Sequence, residues 1–262
     1  MDLPTGPPLL SWIMPEEKSP DLLLDGRLKL FQRGGHRAGT DAVLLAAAAP
    51  PLGSGLAVDV GAGAGTVGLL LALAHPGARI ALLEKNPVAA EDSRRNIAAN
   101  ALGERVRLAE ADLFDAAARK AEGLVEAADV VVTNPPFLEA RAARVSPDAH
   151  RAMAHVLGAG GLAGWLKASL ALLRPGGSFA MIHRADALDD ILAGFGGRLG
   201  GLEVFPIFPK EGRPAIRVIL RGKKGSKAPL ALLPGLVLHG ADGKFTPVAE
   251  EIHRHGRWLF AD

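Results

Sequence analysis

The run "VVTNPPFLEA", Val131 to Ala140, sets an apolar segment directly against Asn134, two prolines and Phe137. Proline cannot donate to a central ladder, so a buried strand must stop at about Asn134. Beyond the stop stand a side-chain amide, two residues with locked φ and an aromatic ring. The Asn134 side-chain oxygen and the Pro135 carbonyl are hydrogen-bond acceptors in a segment stiffened by two prolines, and Phe137 offers a stacking face. A turn made by Asn-Pro-Pro for structural reasons alone is the plain alternative.

Three further groups precede this run. "VDVGAGAGTVGLLLA" places Gly61, Gly63 and Gly65 between an apolar strand and a helix. There the chain must turn tightly and a ligand can approach backbone N–H groups. The spacing is G-x-G-x-G, because the third glycine of the dinucleotide fingerprint would fall at Thr66. Asp59 sits two residues earlier, where it could face a ligand or cap a turn. Glu84 ends "IALLE" about one βα unit later, and a carboxylate there can accept both hydroxyls of a ribose. In "EADLFD", Asp112 can accept from an adenine amino group and Leu113 can pack on the base.

These positions need a scaffold that brings strand ends together. From Leu56 the chain alternates apolar strand candidates with helical patterns: "LAVDV", a helix over about 66–74, "RIALLE", a helix over 87–101, "RVRLAEAD", "ADVVVTN", a helix over about 160–172, "GSFAMIH" and a helix over 185–195. That rhythm predicts right-handed crossovers and an α/β fold with a parallel sheet covered on both faces. "LEVFPIFP" and "AIRVILRGKKG" follow with no helix between them and should pair as an antiparallel hairpin. "LVLHGADGKFTPVAEEIHRHG" then offers a strand, a turn and a short helix after Pro247. At the front, prolines at 4, 7, 8, 15 and 20 predict an irregular arm over 1–27 before a single domain over 28–262. The domain opens with an alternating segment, Arg27 to Arg33, and a helix from Ala42 to about Ala49 capped by Thr40 or Asp41.

Composition removes several classes of chemistry. The chain has no Cys, which excludes disulfides and thiol nucleophiles and fits a reducing cytoplasm. His183, His239, His253 and His255 lack acidic or Cys partners at metal-ligand spacing, so no metal is expected. G-x-S-x-G is absent, which excludes a nucleophile elbow. The longest apolar stretch, from Ala42, is broken by Pro50 and Pro51, and no membrane association is expected. Oligomeric state is left open by the sequence.

"DVGAGAG", "LLEKNP", "ADLF" and "TNPPF", in this order, resemble S-adenosylmethionine-dependent methyltransferases, and Asn-Pro-Pro-Phe resembles the tetrad of the amino-methylating branch. "FQRGGHRAGTDAVLLAAA" and "RPAIRVILRGKKG" resemble corresponding segments of the bacterial tRNA1(Val) adenine-37 N6-methyltransferase family. The resemblance implies a Rossmann-like, seven-stranded class I methyltransferase sheet with a terminal antiparallel β-hairpin, and S-adenosyl-L-methionine as cofactor. It implies cofactor contacts at Asp59, Gly61, Ala62, Gly63, Gly65, Glu84, Lys85, Asp112, Leu113 and Asn134. The methyl acceptor falls to Asn134, Pro135, Pro136 and Phe137. The family's usual ring at the fourth position is Tyr; Phe137 keeps the stacking face and lacks the hydroxyl.

The implied reaction is methylation of the exocyclic N6 of adenine in RNA, a tRNA foremost. A protein glutamine N5-methyltransferase and a guanine-N2 RNA methyltransferase pose the same delocalised-nitrogen problem. From another class, an NAD-dependent oxidoreductase would explain the glycines and Glu84 but not Asn134 to Phe137. A formal charge of +2 is too small to argue for nucleic acid, so the distribution matters more. Seven Lys and Arg lie between Lys210 and Lys227 against Glu211 alone, and Arg27, Lys29, Arg33, His36 and Arg37 add a second cluster. Arg37, Arg141, Arg144, Arg217 and Lys223 are the candidate substrate contacts, with charged edge strands as the structural alternative.

Overall fold

The long apolar runs become the centre of a sheet because each strand is buried on both faces. In the computed structural model, which describes residues 19–33, 39–136, 160–257 and 259, the main strands are β3 (Leu56–Val60), β4 (Arg79–Glu84), β5 (Val106–Glu110), β6 (Ala128–Thr133) and β7 (Leu173–Arg184). They are followed by β8 (Leu199–Lys210), β9 (Arg217–Lys224), β10 (Ala231–Leu232) and β11 (Leu236–His239). The order across the sheet is β10-β8-β9-β7-β6-β3-β4-β5, with β11 also on β8. Among the described strands of this sheet only β9 runs antiparallel to its neighbours, pairing with both β7 and β8. The expected late hairpin is therefore β8 and β9.

Helices cover both faces. Cores on one side include Leu44 and Leu45 of α1 (Thr40–Ala48), Leu69 and Leu71 of α2 (Thr66–Ala74) and Ile97 of α3 (Pro87–Ala99). The other side gathers Leu124 after α4 (Ala116–Ala121), Trp165 and Leu166 of α5 (Gly161–Leu170), and Ile191 and Phe195 of α6 (Leu188–Phe195). Phe179 of β7 meets Phe195 edge-on, with centroids 5.6 Å apart. The last helix, α7 (Pro247–His255), begins at Thr246, whose hydroxyl accepts from the Ala249 N–H. It returns Ala249 and Ile252 to the first core.

Three expectations need correction, and one helix comes in addition to those expected. Among the described residues the sheet has nine strands: the expected seven, β3 to β9, and β10 and β11, since the tail from Ala231 to His239 lies along β8 and covers an edge that would otherwise expose unpaired backbone groups. Of the irregular arm expected over 1–27, residues 1–18 lie outside the described residues, and the rest holds a strand and a turn: β1 (Asp21–Leu23) pairs with β2 (Leu28–Leu30) through a turn at Leu24–Arg27. Neither Thr40 nor Asp41 caps α1, whose N-cap is Gly39 with no side-chain bond; Asp41 instead holds Arg217, with 2.8 Å between Oδ2 and Nε. Helix α4, capped by the Asp115 carboxylate, escapes a reading of the sequence because six residues of Ala, Arg and Lys carry no apolar period.

Strand β2 and the residues after it are docked on α3 by an unusual device. Asp92, Asn96 and Asn100 lie one turn apart and meet the backbone of Arg33, Phe31 and Lys29 in that order. Two extended residues advance about 6.6 Å and one helical turn of four residues about 6 Å, so the two repeats stay in step. Asn96 accepts from the Phe31 N–H at 2.7 Å, then donates to the Phe31 carbonyl at 3.0 Å and the Ala64 carbonyl at 2.9 Å. The helix thus presents to β2 the donors and acceptors that a neighbouring strand would.

Candidate active site

All the parallel strands end at one edge, and a cavity of about 400 Å³ opens there. Val60, Leu83 and Thr133 are level in the pairing of β3, β4 and β6, so the residues after them emerge side by side. Asp59, Gly61, Ala62, Gly63, Glu84, Lys85, Asp112, Leu113, Asn134, Pro135 and Pro136 all line the cavity. Gly65 is the N-cap of α2. Phe137, Arg141, Arg144 and Arg37 lie outside the described residues.

The glycine loop turns because Gly61 and Gly63 take φ of 67° and 58°, a region that disfavours side chains. The two differ in surroundings. A Cβ on Gly61 would lie 2.8 Å from the Trp165 ring, whereas one on Gly63 would meet nothing within 4 Å. Gly63 therefore presents bare backbone to the cavity, and its N–H donates to Glu84 Oε2 at 2.8 Å. Glu84 Oε1 accepts from the Asn86 N–H at 2.7 Å. Each carboxylate oxygen has a second lone-pair position, so the group is fixed by backbone and still able to accept two more donors.

Asp59 is 2% exposed. Its Oδ2 accepts from the Gly68 N–H at 2.8 Å, so a strand residue satisfies one of the free donors in the first turn of α2. Burial pushes this carboxyl up to about 7, the Gly68 N–H opposes the shift, and the negative Glu84 adds to it. A cation beside Asp59 and Glu84 would relieve both effects. Asp112 accepts from the Phe114 N–H at 2.9 Å and pairs with Lys85 at 3.4 Å, leaving it partly exposed. Leu113 is buried at the cavity wall.

On the opposite wall Pro135 is buried and Pro136 half-buried. The Asn134 side-chain oxygen is buried with no hydrogen-bond partner among the described residues. Such an acceptor costs free energy unless a donor arrives, and here it lies on the cavity wall beside the glycine loop. A polar ligand with N–H hydrogens fits that position.

Several wall residues carry no chemical signal in the sequence. Trp165 reads there as core packing in a Gly- and Ala-rich helix; its indole N–H donates to Thr133 Oγ1 at 3.0 Å, and Thr133 donates to the Val60 carbonyl at 2.9 Å. Gln32, Gly39 and Asp41 close the cavity from the front segment.

The basic cluster of the tail is not one patch. Because β9 is antiparallel, Arg217 lies beside Arg184 at the cavity edge while Lys223 pairs with Ser178 at the far end. Lys223 therefore stands about 20 Å down the strand from Arg217 and cannot reach a nucleotide bound at Asn134. Arg217 is at the right edge but is engaged by Asp41. Lys210 and Arg213, at the β8–β9 tip, are exposed at the cavity edge. Among the described residues no group of His, Asp and Glu gathers as a metal site, and no helix is long and apolar enough to cross a membrane.

Known proteins resemble this chain in sequence and in fold. A tRNA1(Val) (adenine(37)-N6)-methyltransferase of Porphyromonas gingivalis is 36% identical over 176 residues, 65% of this chain and 68% of that protein. A protein of the same name from Aeromonas hydrophila is 30% identical over 212 residues, 80% of this chain and 85% of its own length. Among solved structures, a chain described as a predicted O-methyltransferase from Agrobacterium tumefaciens superposes with a TM-score of 0.70 at 30% identity, covering 85% of this chain and 99% of that one. The model of the methyltransferase small domain matches residues 29–186, and with that match over a sheet ending in this cavity, the chain belongs to the methyltransferase small-domain family.

Proposed function

We propose that the protein methylates the exocyclic N6 of an adenine in RNA, with a tRNA as substrate and S-adenosyl-L-methionine as donor. The observation that carries the reading is the buried Asn134 oxygen, without a hydrogen-bond partner among the described residues and followed by two prolines on the wall of a cavity that also holds Glu84 and Gly63. The Porphyromonas and Aeromonas relatives, named for adenine-37 of a tRNA, support the acceptor. An oxygen nucleophile, as in the name of the Agrobacterium chain, would bring one hydrogen at most and leave one of two acceptors unused.

When bound, S-adenosyl-L-methionine supplies an activated sulfonium methyl group. Glu84 would hold the ribose through its free lone pairs, Asp112 would accept from the cofactor adenine, and the backbone at Gly61 to Gly63 would let the methionine portion lie close. Asp59 and Glu84 make the floor of the cavity acidic, which favours a cationic donor over its neutral-sulfur product. Asn134 Oδ1 and the Pro135 carbonyl would accept the two N–H hydrogens of the target amine, turning its lone pair toward the donor, with Phe137 against the base. The amine is hidden in a duplex, so the target adenine must be single-stranded, looped or flipped out.

The test is methyl transfer to deproteinised bacterial tRNA with nucleoside analysis of the product. N6-methyladenosine is the expected product. Methylation of protein amides and never of RNA would overturn the reading.

A further inference from the structure

Among the loops that make the candidate cofactor cavity are the glycine loop after β3, the Asp112 loop after β5 and the Asn134 loop after β6. One ring reaches all three. Trp165 is 4% exposed; its six-membered ring lies against Gly61, it packs edge-to-face with Phe114 at a centroid distance of 6.1 Å, and its N–H donates to Thr133. Thr133, fully buried, passes its own hydrogen to the carbonyl of Val60. Val60 immediately precedes Gly61, and Thr133 immediately precedes Asn134.

The hydroxyl therefore joins the last residue before the donor loop to the last residue before the acceptor pair. A Thr hydroxyl has one hydrogen, and with that hydrogen on Val60 the oxygen can only accept from the indole. The indole N–H thus holds the hydroxyl in the orientation that bridges the two strands. The ring in turn cannot shift toward the glycine loop, since Gly61 already lies in contact with it. Neighbouring parallel strands are held by their ladder below this level, but the ladder ends at Val60 and Thr133. At its end, the hydrogen bonds from Trp165 to Thr133 and from Thr133 to Val60 tie Asn134's strand end to the start of the glycine loop.

We infer that Trp165 and Thr133 form a positioning pair that sets the distance between the methyl donor and the Asn134 acceptor, and so acts on methyl transfer more than on cofactor affinity. The inference rests on the N-methyltransferase reading above. Misplacement of about 1 Å is enough to cost on the order of 100-fold in rate, and loss of one link should cost less.

The experiment measures kcat on RNA and S-adenosylmethionine affinity by calorimetry for the wild type, Trp165→Phe, Thr133→Val and Thr133→Ser, with a thermal melt of each. Trp165→Phe removes the N–H together with the outer ring edge that faces Gly61; Thr133→Val keeps the shape and removes the hydroxyl alone. Each is expected to lower kcat about 10-fold while cofactor affinity stays within about 3-fold. Thr133→Ser is expected to restore most of kcat, and the Trp165→Phe/Thr133→Val double variant to be little slower than either single one, because both break the same link. Wild-type kcat in the single variants would overturn the inference, as would affinity falling as far as kcat, or Thr133→Ser being as slow as Thr133→Val. Should Thr133→Val not fold, Trp165→Phe decides by the same split. If the wild type itself places no methyl group on RNA adenine, the functional reading fails and this inference fails with it; if it does and the variants match it, only the inference fails.

Discussion

Asn134 and Asp59 show how differently two residues of the cavity can be read. Asn134 was legible from sequence because prolines beside it make a packing role implausible, and its buried oxygen, without a partner among the described residues, gives the reading a physical cost. Asn134→Ala removes that acceptor while leaving Glu84 and the glycine loop intact. A fall in kcat of at least about 100-fold is expected, with cofactor affinity within about 3-fold by calorimetry. Asp59 is the less legible residue, since capping a turn and contacting a ligand were both open in sequence, and the structure shows it bonded to Gly68 from within the cavity. Its carboxyl is raised from 3.8 to about 7, so between those values the folded state holds a proton that the unfolded chain has released. Stability of the ligand-free protein should therefore fall as pH rises from about 4 to about 7 and level off above, by an amount on the order of 4 kcal/mol. Asp59→Asn keeps an acceptor for Gly68 and removes the titration. Melts from about pH 5 to about pH 8 should show the variant gaining on the wild type, by about 5 °C or more at the upper end. The same variant should bind S-adenosylmethionine at least about 10-fold more weakly, because the acidic floor that destabilises the empty protein is what a cationic donor would neutralise.

At the scale of elements, the α/β alternation was readable because buried parallel strands are near-continuous apolar runs, as in "AVDV" and "VVVT". Short or edge elements escaped. Strand β1 has three residues next to a Pro-rich stretch, β10 has two, and neither carries enough alternation to stand out. The docking of β2 on α3 was also unreadable, since Asp92, Asn96 and Asn100 look like the solvated face of a helix until their four-residue spacing is set against a strand. That ladder has a measurable consequence. Asn96 is fully buried and bonds the Phe31 N–H, the Phe31 carbonyl and the Ala64 carbonyl. Asn96→Leu would leave all three without this partner in a dry site, each worth about 1–3 kcal/mol. A loss of about 3 kcal/mol in a urea titration is expected, with faster hydrogen exchange at the Phe31 amide than at amides of the central strands. Because Ala64 belongs to the glycine loop, cofactor affinity should weaken in this variant, in contrast to the Trp165 and Thr133 variants.

The whole molecule decides what a charge cluster means. Seven cations in eighteen residues suggest one phosphate-binding surface, but a single antiparallel strand carries the two ends of that cluster to opposite ends of the sheet. Several are also neutralised in place: Arg217 by Asp41, Arg221 by Glu203 at 2.8 Å and Lys224 by Glu126 at 3.2 Å. Lys210 and Arg213 are exposed at the cavity edge, and Lys223 and Lys227 at the far end. Nothing in a one-dimensional charge count separates these pairs; strand direction does. If RNA reaches Asn134 across the cavity edge, phosphates flanking the target lie near Lys210 and Arg213. Lys210→Ala/Arg213→Ala should then weaken tRNA binding about 10-fold at moderate salt and reduce the slope of log K against log salt by about 1.5, the value for two lost phosphate contacts. Lys223→Ala/Lys227→Ala, with the same change in net charge, should alter affinity by no more than about 2-fold and leave the slope within about 0.5. Equal losses in the two pairs would mean that the substrate responds to overall charge or wraps the full length of β9, and the cavity edge would lose its standing as the RNA-facing side.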